Sequence, residues 1–221
     1  MSTASSEPNT RKRSRRRNFG LPVILAGAIG SVLVALSMSP AFATFTASIN
    51  NDTNNAGTGA LVMEEKNSGG DVTCTSTSDG GVTGNAATCS SINKYGGNLL
   101  MAPNQTVSTT VSIKNTGTMA ATGFTLAPGK CTQSANGTAN GTATDLCAKM
   151  KVKVSTGDVT VYDGTMTGFT ATQNLLTALD VSSIAAGVST NFTFAVTLDN
   201  TAGNTYSGLK VSQPLTWTFT A

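Results

Sequence analysis

Apolar and polar residues alternate along several short segments of this chain, and this alternation limits the possible folds more than any other feature. Between residues 191 and 198, Phe192, Phe194 and Val196 occupy every second position, with Thr193 and Thr197 on the other phase. Successive side chains of a β-strand point to opposite faces, so such a segment buries one face and leaves the other in water. The pattern recurs at residues 107–114, 149–154 and 215–220. These segments predict half-buried strands of antiparallel sheets.

Turn sequences separate the alternating segments, and no long helical periodicity follows residue 43. Turns that contain glycine begin at Asn115, Ala127, Ser155, Tyr162 and Ala202. Seven or more short strands joined in this way favour an all-β fold, an antiparallel two-sheet sandwich of the Greek-key or jelly-roll type. We place this domain at residues 51–221. Within it, QNLLTALD at residues 173–180 fits either a short helix or a connection between sheets.

The first 43 residues have the order of a secretory signal peptide. A basic region at residues 11–17, RKRSRRR, precedes an apolar run at residues 21–38. This order predicts an apolar signal helix that directs export. The run is also long enough to cross a membrane once, so an uncleaved membrane anchor is the alternative interpretation.

A cleavage site follows the apolar run. The small residues Ala41 and Ala43 flank Phe42, an arrangement that signal peptidases recognise, and Pro40 breaks the helix before it. We therefore predict cleavage between Ala43 and Thr44, which defines residues 1–43 as the signal peptide. A signal peptidase is then a partner during export, and the membrane is contacted only through the signal segment before cleavage.

Removal of the signal peptide reverses the charge of the chain. The full chain carries 14 basic and 11 acidic residues, but six of the basic residues lie in residues 11–17 and Glu7 is also removed. The mature chain keeps eight lysines against ten acids, a net charge of −2. A slightly acidic chain without arginine lacks the basic patch that nucleic acid requires, so no nucleic-acid partner is predicted.

Four cysteines remain after export, Cys74, Cys89, Cys131 and Cys147. An even number in an exported chain predicts two disulfides, for which three pairings are possible. We favour Cys74 with Cys89 and Cys131 with Cys147, because each pair closes a local loop, and such a loop is worth about 3 kcal/mol in the chain-entropy model. A metal or redox site is not predicted, since the chain has no C-x-x-C pair and no histidine.

The sequence contains no recognisable catalytic arrangement. The absence of histidine excludes Ser-His and Cys-His nucleophilic sites and the H-E-x-x-H helix of metalloproteases. Glu64 and Glu65 are adjacent, so on a strand they point to opposite faces and cannot form a glycosidase pair by themselves. We therefore predict a protein that is not an enzyme and that has no cofactor. No metal site is predicted: Asp71, Asp79, Asp158 and Asp163 lie in turn-like sequence and are interpreted as turn residues, and calcium binding in a loop is the alternative.

The order of motifs resembles the TasA and camelysin family of secreted bacterial β-sandwich proteins. The shared features are an F-T-A-S-type strand directly after the cleavage site, GTGALVMEE from Gly57, NTGT from Asn115, GNTYSG from Gly203 and the closing PLTWTFTA. The resemblance implies a jelly roll and a fibre of the biofilm matrix, in which the N-terminal strand of one subunit enters the sheet of the next. The cysteine-bearing inserts are similar to those of actinobacterial members. The implied location is the extracellular matrix or cell surface of a Gram-positive bacterium.

The segment directly behind the cleavage site has the pattern of such a strand. An extended peptide can pair with an exposed sheet edge while its alternate side chains fill pockets. We predict a donor strand at residues 44–50, and the alternative is that this segment forms the first strand of its own sandwich. The inserted face consists of Phe45, Ala47 and Ile49, and the opposite face of Thr44, Thr46 and Ser48.

Two functions follow from these observations. The first is a structural subunit of an extracellular filament, which assembles head-to-tail with copies of itself. Cleavage after Ala43 would then free the donor strand and act as the assembly switch. The alternative is a monomeric secreted or cell-surface binding module, with ligand contacts in the long loops around Cys74 and Cys89.

Overall fold

The computed structural model describes residues 48–49, 54–77, 84–138 and 141–221. The chain divides after Asn55 into two units, and the fold is that of the second unit, Ala56–Ala221. The predicted signal helix and its cleavage site lie outside the described residues. Within the described ranges, no helix is long and apolar enough to cross a membrane.

Short antiparallel strands account for most of the regular secondary structure of the second unit, and the all-β class predicted from the sequence is confirmed. Two short helices, α1 (Leu146–Lys149) and α2 (Leu175–Leu179), and a 3-10 helix at Asn204–Tyr206 connect them. The strands are β1 (Met63–Asn67), β2 (Thr73–Thr75), β3 (Thr106–Asn115), β4 (Gly123–Pro128), β5 (Thr132–Ala135), β6 (Met150–Thr156), β7 (Val159–Thr165), β8 (Gln173–Asn174), β9 (Ser189–Leu198), β10 (Leu209–Ser212) and β11 (Leu215–Thr220).

The larger sheet has the strand order β2-β1-β3-β9-β6-β7, and every pair is antiparallel. Strand β9 lies inside it, paired with β3 on one side and with β6 on the other. Phe192, Phe194 and Val196 are fully buried on one face of β9. The alternation that predicted this strand from the sequence is confirmed.

The smaller sheet has the order β11-β4-β8, and the β5–β10 pair continues its β4–β11 ladder. Leu215 lies opposite Pro128, whereas Ser212 lies opposite Thr132. Between these two pairs, residues 129–131 lie opposite residues 213–214. The β4–β5 side therefore has one extra residue, which is a β-bulge. The bulge belongs to the β4–β5 side, so the β10–β11 strand keeps its alternation unbroken over residues 209–219.

Aromatic side chains join the inner faces of the two sheets. Phe124 of β4 meets Phe192 of β9 edge-to-face, with 5.7 Å between the ring centroids. Trp217 of β11 approaches the same Phe192 ring to 5.0 Å. Burial of one such side chain contributes about 1.5–3 kcal/mol. The result is the sandwich-like arrangement that the strand pattern predicts.

Two turns of the sandwich are fixed by asparagine side chains. Asn115, which ends β3, is fully buried, donates through Nδ2 to the carbonyls of Met119 (2.8 Å) and Ile184 (3.0 Å), and accepts from the Gly117 N–H at 3.1 Å. Asn174 caps α2, since its Oδ1 accepts from two N–H groups of the first turn. QNLLTALD therefore forms a very short strand followed by a helix.

We predict that Asn115→Ala lowers the free energy of unfolding by about 2–3 kcal/mol, because it leaves buried backbone groups without partners. Asn191→Ala is the matched control: Asn191 is exposed on the outer face of β9, and its loss should change stability by less than about 0.5 kcal/mol. Urea unfolding followed by circular dichroism measures both. Equal losses in the two variants would contradict the role assigned to Asn115.

Candidate functional site

Strand β11 is an edge of the smaller sheet and pairs, among the described residues, with β4 alone. The Gly129 N–H donates to the Pro214 carbonyl at 2.8 Å, so Pro214 is at a hydrogen-bonded position of the ladder with β4. Hydrogen-bonded and non-hydrogen-bonded pairs alternate along an antiparallel ladder. The odd-numbered residues of β11 therefore direct their N–H and C=O groups away from β4. Pro128, which has no N–H, lies opposite odd-numbered Leu215, in agreement with this phase.

Leu215, Trp217 and Phe219 are these odd-numbered residues, and we call them the open edge. Among the described residues, their backbone groups take part in no hydrogen bond outside the β-ladders. Their side chains point inward but are only half-buried. Within the described part of the chain, the open edge thus combines backbone groups without a partner strand and apolar side chains that are incompletely covered.

A groove of about 730 Å³, here named the β11 groove, lies beside the open edge. Met63 and Glu65 of β1 contribute one wall, the segment at residues 85–95 contributes another, and the open edge contributes the third. Its size falls in the range of ligand-binding clefts. The β11 groove is therefore the best candidate for a site that receives another molecule.

A buried ion pair forms part of the lining of the β11 groove. Lys94 Nζ is 2.8 Å from Glu65 Oε1, and the two side chains are exposed by only 10% and 8%. The Trp217 Nε1–H donates to the same Glu65 oxygen at 3.3 Å. The carboxylate therefore binds a cation and the indole at once, and this holds the tryptophan in one position.

Aromatic rings also surround Trp217. Its ring lies 5.0 Å from Phe192, 6.0 Å from Phe124 and 6.1 Å from Phe194. Rings in such tilted and edge-to-face contacts have little freedom to move, because protein interiors are close-packed. Trp217 is thus a rigid part of the groove wall.

Tyr95 and Gln213 separate the β11 groove from a second groove of about 580 Å³ beside β10. The Tyr95 hydroxyl donates to Gln213 Oε1 at 2.8 Å, and Gln213 Nε2 donates to the carbonyls of Gly129 (2.8 Å) and Phe169 (2.9 Å). Burial, with a smaller contribution from the Tyr162 phenol, raises the pKa of Tyr95 well above its ordinary value. Tyr95 therefore remains a hydroxyl donor at neutral pH.

Most residues of the predicted cleavage site and donor strand lie outside the described residues: Ala41, Ala43, Thr44, Phe45, Thr46 and Ala47. Ser48 and Ile49 are described, belong to no strand and are exposed, Ile49 by 92%. Donation and the formation of a strand within its own sandwich both remain predictions for this segment.

The two disulfides join Cys74 to Cys89 and Cys131 to Cys147, the pairing that the local-loop argument favours. The first lies in the wall of the β11 groove and ties β2 to the segment at residues 85–95. The second ties the start of β5 to α1. Disulfides persist in oxidising compartments, so both bonds fit an exported protein.

Glu65, Lys94 and Gln213 belong to the lining of the β11 groove but were not expected there from the sequence. For Gln213 a signal was present: it continues the inward phase of Val211 and Leu215, so a glutamine in an apolar series marked a buried polar group. Glu65 and Lys94 gave no such signal, because they are 29 positions apart and meet only in the folded chain.

Among the described residues, no group of three histidine, cysteine, aspartate or glutamate side chains comes close enough to hold a metal ion. Neither a protein-family model nor a curated protein matches this chain. The geometry of the β11 groove therefore carries the functional argument.

We predict that Glu65→Gln lowers the free energy of unfolding by about 3 kcal/mol, because it leaves the buried Lys94 cation without a counter-charge. Urea unfolding provides the measurement. The neighbouring Glu64→Gln is the control: Glu64 pairs with the more exposed Lys66, and loss of such a pair costs less than about 1 kcal/mol. The double variant Glu65→Gln with Lys94→Met should recover much of the loss. A Glu65→Gln variant as stable as Glu64→Gln would show that the ion pair does not support the groove.

Proposed function

We propose that the mature chain is the structural subunit of an extracellular filament, in which residues 44–49 of one copy insert along the open edge of the next. The observation that carries this proposal is the open edge itself, where backbone groups that pair with no described residue border a groove lined by Leu215, Trp217 and Phe219. Unpaired edges invite pairing with another strand. An inserted strand would satisfy the backbone groups and cover the three side chains.

The length and pattern of the N-terminal segment support this occupant. Residues 44–49 and strand β11 both span six residues. Phe45, Ala47 and Ile49 share one face of an extended segment, as the inward side chains of β11 do. Ile49 is 92% exposed, and its burial in a second copy would contribute about 1.5–3 kcal/mol.

Insertion in this manner is a head-to-tail contact. The donor segment and the acceptor groove are different parts of one chain, so the contact is heterologous and adds subunits without closing a ring. Each subunit would offer one donor and one acceptor. A filament is the product.

Export supplies the switch for assembly in this proposal. Before cleavage after Ala43, residues 44–49 are joined to the apolar run at residues 21–38. Cleavage would release the segment outside the membrane, in the oxidising compartment that the disulfides fit. The resemblance to the TasA and camelysin family supports the same scheme, together with a jelly-roll form of the sandwich and a place in the biofilm matrix or on the surface of a Gram-positive cell.

Deletion of residues 44–49 from the mature protein should abolish filaments without unfolding the domain, because the described strands of the sandwich all lie between Met63 and Thr220. Electron microscopy measures the filaments, and far-ultraviolet circular dichroism measures the fold. A mature chain with the two-site replacement Thr46→Ser and Ser48→Thr, which alters only the polar face, is the control and should assemble normally. Filaments of ordinary length from the folded deletion variant would contradict the proposal.

The β11 groove also supports a second candidate function, a monomeric binding module, because a cleft of about 730 Å³ can hold a small ligand. Size-exclusion chromatography of the mature chain after overnight incubation at high concentration separates the two. Growth into large assemblies favours the filament subunit. A single monomeric species favours the binding module.

A further inference from the structure

The side chains of the open edge and of the N-terminal segment have complementary sizes. We propose that Ala47 of one copy lies directly opposite Trp217 of the next, and that this small-against-large pairing sets the register of the inserted strand. The inference rests on the proposed filament function and adds to it the residue pair that selects one alignment.

Trp217 cannot move away from an inserted side chain. The ring lies 5.0 Å from Phe192 and 6.1 Å from Phe194 on its inner side, and its Nε1–H donates to buried Glu65 at 3.3 Å. The half-buried indole borders the β11 groove. A strand that enters the groove must therefore present a small side chain at this position.

The backbone of Trp217 lies at the centre of the open edge. Its N–H and C=O point away from β4, as those of Leu215 and Phe219 do. Every ladder between described strands is antiparallel, and an antiparallel donor would form hydrogen-bonded pairs with these three residues. Directly opposite residues carry their side chains on the same face. Pairing of Ala47 with Trp217 then places Phe45 beside Phe219 and Ile49 beside Leu215.

No other alignment of the same face suits the groove. A strand must slip by two residues to keep its inward face inward. Such a slip would place Phe45 or Ile49 opposite the fixed indole, where an additional large side chain overpacks the site. It would also leave Ala47 beside Leu215 or Phe219, where a small side chain fills the space poorly.

The test compares filament elongation by mature chains that carry Ala47→Trp, Ser48→Trp, Trp217→Ala, or Ala47→Trp together with Trp217→Ala. Ala47→Trp should slow elongation by about tenfold or more, because overpacking at the indole opposes insertion. Ser48→Trp adds the same side chain to the opposite face of the donor segment and should leave elongation within about twofold of the unaltered chain. The double variant exchanges the two side chains and should recover most of the lost rate.

Elongation is followed by light scattering from preformed filament ends, and circular dichroism checks that each variant is folded. Equal rates for Ala47→Trp and Ser48→Trp would overturn the register, whatever the behaviour of the Trp217→Ala variants. The register also fails if Trp217→Ala alone is folded and elongates but the double variant is no faster than Ala47→Trp. If the unaltered chain forms filaments and either of these results is obtained, the register is refuted but the filament function is not. A mature chain that never forms filaments refutes both.

Discussion

The packing of Phe124 and Trp217 from the smaller sheet against Phe192 from the larger one is the contact on which the rest of the structure depends. It joins the two inner faces, and it also fixes one wall of the β11 groove, because Trp217 belongs to both. The groove can therefore not be reshaped without disturbance of the core. Glu65 strengthens this coupling, since its carboxylate holds the indole from the larger sheet. The core and the candidate site therefore share Trp217, and a change in one alters the other.

The sequence was sufficient for the parts of the fold that depend on local pattern. Apolar and polar residues alternate in strands β3, β6 and β9 because one face of each strand is covered along most of its length. Val111, Val152 and Phe194 are buried and lie on the face that the sequence predicts. The two disulfides follow the same logic, since each closes a short loop. The turn at Asn115 was also recognisable, although the burial of its side chain was not.

The parts of the fold that depend on residues far apart in the sequence could not be predicted from local pattern. Periodicity tells which face of a strand is buried but not which strand lies beside it. The Thr110 and Thr193 hydroxyls meet across β3 and β9 at a separation of 83 positions, and no local pattern reports such a pairing. For the same reason the sequence identified Leu215, Trp217 and Phe219 as inward residues but not as the open edge. The buried Glu65–Lys94 pair was hidden because both residue types are usually found at the surface.

The β-bulge between β4 and β5 has a consequence for the regularity of any polymer built on the open edge. Because the extra residue lies on the β4–β5 side, the inward phase runs unbroken from Val211 to Phe219, so an inserted strand could be displaced only in steps of two residues, about 6.8 Å, and the fixed Trp217 indole opposes these displacements. Tyr95 and Gln213, which are joined by a hydrogen bond, line both the β11 groove and the groove beside β10. If Ala47 lies opposite Trp217 at every junction, each junction has the same length, and successive subunits of the proposed filament would be spaced evenly.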